Sequence, residues 1–110
     1  MTVKELASAL SLEVINLSDP ERSVEGVYTG DLLSWVMGKL KYGNAWVTIM
    51  NNVNVIAVAS LADASCVILS EDAEVGDDLI EKAGAQKINL LRTSLSSFEI
   101  CCKLGKTLNA

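Results

Sequence analysis

Apolar positions near the start of the chain follow a helical spacing and then a strand spacing. Those of residues 3 to 10 recur at helical intervals, and Thr2 and Glu5 have the spacing of a capping box. This pattern predicts a first helix over residues 3 to 10. Two short apolar runs follow, at residues 12 to 17 and 24 to 28, and predict two strands separated by a turn.

The rest of the chain alternates regularly between helical patterns and short apolar runs rich in β-branched residues. Strands are predicted at residues 45 to 50, 66 to 69 and 87 to 91, and helices near residues 32 to 38, 53 to 64, 77 to 83 and 96 to 104, the last one stopped by Gly105. Consecutive strand, helix, strand units require parallel pairing. We therefore expect one α/β domain over residues 1 to 110, with three layers and a mainly parallel sheet of about five strands flanked by helices.

Composition narrows the possible partners and locations. Half of the 110 residues are apolar, enough for one core, but none of the uncharged apolar runs approaches the length of about 20 residues that a membrane span needs. Fourteen acidic residues against nine basic ones give a net charge of −5, which disfavours binding to nucleic acid. The sequence thus indicates neither a membrane nor a nucleic acid as partner, and no secretory signal pattern is present.

Cysteine and histidine usage adds to this picture. The three cysteines cannot all pair, and Cys101 and Cys102 are adjacent, so we expect reduced thiols and a cytoplasmic location. Histidine is absent, which removes the usual general base and a common metal ligand. Phosphate-binding glycine motifs are absent too, and the acidic stretch after residue 70 lacks calcium-loop spacing. The sequence therefore predicts no cofactor and no metal.

A binding site is expected beyond the carboxyl ends of the strands, where loops and helix starts gather in parallel sheets. Polar residues follow the predicted strands there. The candidate ligand-binding residues are Thr29, Asp31, Asn51, Asn52, Ser70, Arg92, Thr93 and Ser94. Their mixture of hydroxyl, amide and charged groups suits a small nucleotide or metabolite.

Each of these residues also has a purely structural interpretation. Asp, Ser, Thr and Asn at a strand-to-helix junction are what helix capping demands, and this applies best to Thr29, Asp31 and Asn52. For Arg92 the alternative is an ion pair with Glu71, Asp72 or another exposed acid. Arg92 remains the strongest single candidate for ligand binding.

Two further features bear on function. A patch containing Trp35, Val36 and Met37 would suit self-association or docking on an enzyme. Clustered carboxylates at Asp31, Glu71 or Asp72, with Arg92 as electrostatic partner, would be the basis of a small carboxylate-dependent enzyme.

The order of these patterns resembles the DRTGG-domain family, which includes the N-terminal domain of HPr kinase/phosphorylase and inserts in some phosphotransacetylases and CBS-containing pyrophosphatases. The resemblance covers nearly the whole chain. It is carried by residues 3 to 7, 13 to 15, 27 to 34, 45 to 50, 54 to 59 and 66 to 69. The eponymous residues differ, because Asn51-Asn52 stand in place of Asp-Arg and Ser70-Glu71-Asp72 in place of Thr-Gly-Gly.

The resemblance implies a free-standing regulatory module, because the catalytic domain of the kinase is a separate phosphate-loop domain. Members of this kind are commonly proposed to associate as dimers. The leading hypothesis is thus a non-catalytic regulatory or interaction module, homodimeric, that senses a small nucleotide or metabolite at the strand ends. The alternatives are an accessory subunit that docks on a separate enzyme or kinase, and the small carboxylate-dependent enzyme.

Overall fold

The computed structural model describes residues 1–109, which form one three-layer α/β domain. The elements along the chain are α1 (Val3–Ala9), β1 (Glu13–Asn16), β2 (Gly26–Thr29), α2 (Leu33–Lys39), β3 (Asn44–Thr48), α3 (Val53–Ala62), β4 (Cys66–Leu69), α4 (Asp77–Gln86), β5 (Leu90–Arg92) and α5 (Ser97–Thr107). The α/β class and the number of strands in the sheet are confirmed. None of the helices in residues 1–109 is long and apolar enough to cross a membrane.

The sheet is mixed, and the prediction of a mainly parallel sheet is wrong. Its strand order is β1-β5-β4-β3-β2. The four strands from β2 to β5 are parallel, but β1 pairs antiparallel with β5, with Glu13 opposite Arg92 and a register shift between Val14 and Asn16. Both edges of the sheet are therefore formed by the first two strands of the chain.

The direction of β1 follows from the connection after it. A parallel pair needs a crossover that returns the chain to the same end of the sheet, and residues 17 to 25 contain no helix. This segment instead runs along the amino ends of the strands, where Asn89 Nδ2 donates to the carbonyl of Asp19 at 2.8 Å. Further along, the Ser65 hydroxyl donates to the carbonyl of Ser23. Because β2 starts at the same end of the sheet at which β1 finishes, β1 must run opposite to the other strands.

The helices cover both faces of the sheet. Helices α2, α3 and α4 each connect one strand to the next strand in the sheet, always in the same direction, so all three lie on one face. Their residues Val36, Ile56 and Leu79 are fully buried there in one cluster. Helices α1 and α5 cover the opposite face through Leu6 and Ile100. Two apolar layers thus fix the sheet and hold the strand ends in place.

Several element boundaries differ from the prediction for identifiable reasons. Helix α4 continues to Gln86 and is ended by Lys87 in the left-handed conformation (φ 57°), so the last strand starts later than residue 87. Helix α3 ends in the same way at Asp63 (φ 59°). Gly105 does not stop α5, because it keeps helical geometry inside a helix that runs to Thr107.

Candidate functional site

The carboxyl ends of the four parallel strands lie at one end of the sheet, as the sequence predicts. Strand order follows chain order from β2 to β5, without the reversal that opens a binding crevice between two strands in doubly wound folds. The predicted site residues are therefore spread along this end of the sheet, from β2 to β5. They form one group beyond β4 and β5 and another beyond β2 and β3.

Arg92 is the centre of the group beyond β4 and β5. Its guanidinium forms ion pairs with Asp72 at 2.9 Å and with Glu13 at 3.1 Å, and its Nε donates to the carbonyl of Ala73 at 2.8 Å. The side chain is 23% exposed, so its charge is only partly open to solvent. Arg92 thus joins β1, β5 and the loop after β4, as its structural interpretation proposed.

The loop after β4 is held by the loop after β5. Ser70 is buried, and its hydroxyl lies 2.7 Å from that of Ser97. Glu71 and Asp72 both have positive φ, 59° and 56°, and their N–H groups donate to the carbonyls of Leu95 and Thr93. These two residues stand where the family that the sequence resembles has glycines, and they adopt a conformation that is easiest for glycine. Their N–H groups are therefore engaged within the protein.

The remaining candidate residues at this end of the sheet bond to backbone groups of the protein or are exposed. Thr93 Oγ1 accepts from the N–H of Leu95 at 3.2 Å, and Ser94 is exposed. Asn52 is the N-cap of α3, with its side chain accepting from the N–H of Asn54, so its capping interpretation is confirmed. Asn51 donates to the carbonyl of Glu74 at 2.8 Å.

Asp31 and Thr29 form the group beyond β2 and β3. Asp31 Oδ1 accepts from the Thr48 hydroxyl at 2.8 Å and from the N–H of Ile49 at 2.9 Å. The capping interpretation is wrong for Asp31, because the N-cap of α2 is Leu32, without a side-chain hydrogen bond. Thr29 Oγ1 donates to the carbonyl of Val47 at 3.1 Å. Asp31 thus ties the end of β2 to the end of β3.

A hollow of about 520 Å³, open to solvent, lies beside this second group. It is lined by Tyr28, Thr29, Gly30, Asp31, Leu32, Trp35 and Lys39, and we call it the β2 hollow. Trp35 is 61% exposed there, and Lys39 Nζ lies 5.3 Å from the centre of its ring. A side chain at Gly30 would meet the Tyr28 ring at 2.9 Å, so glycine lets this ring close over the backbone.

Sequence reasoning found two residues of the β2 hollow and missed its aromatic and basic side. The available signal was the helical spacing of Leu32, Trp35 and Lys39, which places them on one flank of α2. The predicted patch of Trp35, Val36 and Met37 is wrong as a single surface. Val36 is fully buried, and Trp35 and Met37 are two positions apart and point to opposite flanks of the helix.

The geometry does not gather the carboxylates into a common site. Asp31 lines the β2 hollow, whereas Asp72 is paired with Arg92 and Glu71 accepts from the N–H of Ser97 at 3.0 Å, both beyond β4. Within residues 1–109, histidine, cysteine and acidic side chains form no group of three or more able to hold a metal ion.

The cysteines have distinct environments. Burial raises the pKa of the Cys66 thiol to about 12. Partial burial also raises the pKa of Cys101, and a hydrogen bond with Thr29 opposes this shift. Cys102 is exposed, and none of the three forms a disulfide. Cys66 and Cys101 thus keep their protons to higher pH than a free cysteine does.

Comparison with known proteins identifies the fold. No protein-family model matches the chain, and no curated protein matches it in sequence. A solved structure with a similar fold is that of the CBS and DRTGG domains of the regulatory region of Clostridium perfringens pyrophosphatase, complexed with its activator diadenosine tetraphosphate. The TM-score is 0.72 at 16% sequence identity, over 92% of this chain and 44% of that one. The chain thus has a DRTGG-like fold and spans less than half of that structure's length.

Proposed function

We propose that this protein is a non-catalytic regulatory module that acts through binding to another protein chain, and that it is a homodimer. The similar fold in the regulatory region of a pyrophosphatase supports a regulatory rather than a catalytic role. The separation of Asp31 from Glu71 and Asp72 also argues against carboxylate catalysis, which needs these groups around one substrate.

The observation that carries the proposal is the exposed apolar surface beside the free edge of β2. Trp35 is 61% and Leu32 58% exposed, and both flank a strand that has a neighbour on one side only. Adjacent exposed apolar side chains mark interaction surfaces, and tryptophan is among the residues most enriched at the energetic centres of protein interfaces. Self-association would bury both side chains in each copy.

Light scattering on the purified protein tests this proposal. We expect a dimer, and Trp35→Ser should raise its dissociation constant about tenfold or more, as truncation of a buried interface tryptophan does. Leu61→Ser is the matched control, because Leu61 is 79% exposed on α3 and lies away from β2 beside Lys82 and Gln86. Circular dichroism shows whether each variant keeps its fold.

The outcome separates the candidate functions. A chain that stays monomeric at high concentration contradicts the homodimer and favours an accessory subunit docking on a separate enzyme or kinase. Equal weakening by Trp35→Ser and Leu61→Ser would mean that the Trp35 surface is not the interface.

The β2 hollow supports a second activity of the same module, the sensing of a small nucleotide or metabolite. An exposed indole offers a stacking surface for a ring, Lys39 carries a positive charge beside it, and Thr29 and Asp31 supply polar atoms. The regulatory region with the similar fold is complexed with a dinucleotide activator. A nucleotide is accordingly the class of ligand that we expect in the β2 hollow.

A further inference from the structure

A second hollow continues the β2 hollow along the same strand. It too is open to solvent and has a volume of about 520 Å³, and we call it the lysine hollow. Its lining residues are Gly26, Val27, Tyr28, Gly38, Lys39, Lys41 and Asn44. Tyr28 and Lys39 line both hollows, so the two form one trough along β2 and α2, with Asp31 at one end and Lys41 at the other.

The lysine hollow is the basic end of this trough. It is lined by Lys39 and Lys41 and by no acidic residue, although the whole chain has a net charge of −5. Neither lysine forms an ion pair with any residue from 1 to 109, whereas both arginines of the chain, Arg22 and Arg92, are paired with carboxylates. The two ammonium groups are therefore open to an anion from outside.

Two acidic residues close to β2 in the chain are directed elsewhere. Asp31 lines only the β2 hollow, and its Oδ1 accepts from the Thr48 hydroxyl at 2.8 Å. The carboxylate of Glu25 lies against Gly43 and does not line the trough. The charge of the trough thus changes sign along its length, and an anionic group is favoured at the Lys41 end and disfavoured at the Asp31 end.

Gly38 leaves the floor of the lysine hollow open. It lies inside α2, where glycine is the least favourable residue apart from proline. A Cβ atom at this position would meet no other atom within 4 Å, so packing within the domain does not require a glycine there. The space above Gly38 is accordingly available to a bound group, and a larger side chain would fill it.

We propose that the trough binds a nucleoside polyphosphate, with the base on Trp35 and the phosphate chain running past Lys39 towards Lys41. The helical rise places Lys39 about 6 Å from Trp35 along α2, and Lys41 lies beyond the end of that helix. The three side chains therefore follow one another in the order of base, first phosphate and last phosphate. This inference rests on the proposed sensing of a nucleotide in the β2 hollow, and it adds the number and the direction of the phosphates.

Calorimetric titration with AMP and with ATP tests this direction, in buffer without divalent cations so that the phosphates keep their charge. The quantity to compare is the ratio of the two dissociation constants within one variant, because competition from self-association at Trp35 affects both nucleotides. In the wild type, ATP should bind about fivefold more tightly than AMP, since its additional phosphates reach the exposed Lys41.

Lys41→Gln should bring this ratio close to one and leave the affinity for AMP unchanged. Lys103→Gln is the matched control, because Lys103 is also exposed but lies on α5, which covers the opposite face of the sheet. Gly38→Leu should weaken the binding of ATP more than that of AMP by filling the lysine hollow. Leucine favours a helix more than glycine does, so this variant should keep its fold.

The outcomes separate this inference from the proposed function. Equal affinities for AMP and ATP, or a ratio that falls as far in Lys103→Gln as in Lys41→Gln, would overturn the polyphosphate path but leave nucleotide sensing in the β2 hollow standing. Absence of binding by both nucleotides would overturn both.

Discussion

At the scale of single residues, Cys66 is the clearest case of an environment that changes chemistry. It lies fully buried in β4, and burial disfavours the thiolate strongly enough to raise the thiol pKa from 9.0 to about 12. The reactions that need a thiolate are therefore not open to Cys66, which acts as a small apolar core residue.

This shift predicts how stability depends on pH. Above pH 9 the unfolded chain releases the Cys66 proton while the folded chain retains it up to about pH 12, so ionisation favours unfolding and stability falls across this window. Urea unfolding at several values between pH 8 and pH 11 measures the effect. Cys66→Ala, which has no thiol to ionise, should lose less stability than the wild type over the same range. Parallel curves for the two proteins would contradict the assignment.

Sequence reasoning at this scale succeeded where a side chain acts on its own neighbours. Thr2 forms the predicted capping box with Glu5, and Ser96 forms another with Glu99, because these bonds span only three residues. It failed for Asp31, whose partner Thr48 is on another strand and is brought near by the parallel pairing of β2 with β3. Contacts distant in sequence depend on the order of the strands, which local spacing does not reveal.

At the scale of elements, the ends of α3 and α4 show why boundaries were predicted less well than the elements themselves. Both helices end in a non-glycine residue with positive φ, Asp63 and Lys87, where sequence rules expect glycine or asparagine. Gly105, which those rules take as a stop, lies inside α5. The direction of β1 was predictable from the missing crossover helix in residues 17 to 25.

Lys87 gives a direct test of this strain. A residue with a Cβ atom in the left-handed conformation is disfavoured by about 1 kcal/mol or more, and Lys87 is exposed. Lys87→Gly should therefore raise the free energy of unfolding by about 1 kcal/mol in urea titrations. Lys82→Gly, in the middle of the same helix, should lower it by about 1 kcal/mol. A loss of stability in both variants would show that the Lys87 side chain contributes more than its backbone conformation costs.

At the scale of the whole molecule, the two groups of polar residues have different characters. Around Arg92, charged and polar atoms are paired with one another across β1, β5 and the loop after β4. Around the β2 hollow, exposed aromatic surface and a lysine stand beside the free edge of the sheet. The proposed ligand recognition and the proposed self-association would thus lie on the same side of the domain.

The difference between these two groups of residues predicts which cationic side chain contacts a bound ligand. The measurement is the rise in melting temperature that millimolar ATP causes, with each variant compared with its own ligand-free protein. We expect ATP to raise the melting temperature of the wild type. Lys39→Gln should reduce the shift, because it removes the charge beside Trp35.

Arg92→Gln is the matched control. It also replaces a cation by an amide, but on β5, away from the β2 edge of the sheet. It should lower the melting temperature of the ligand-free protein, because Glu13 and Asp72 lose their partner, and should keep the shift caused by ATP. A shift lost in Arg92→Gln and kept in Lys39→Gln would place the ligand beyond β5 instead, in agreement with Arg92 as the strongest candidate from sequence. Since Trp35 belongs both to the β2 hollow and to the proposed dimer surface, ATP bound there should also change the dimer dissociation constant.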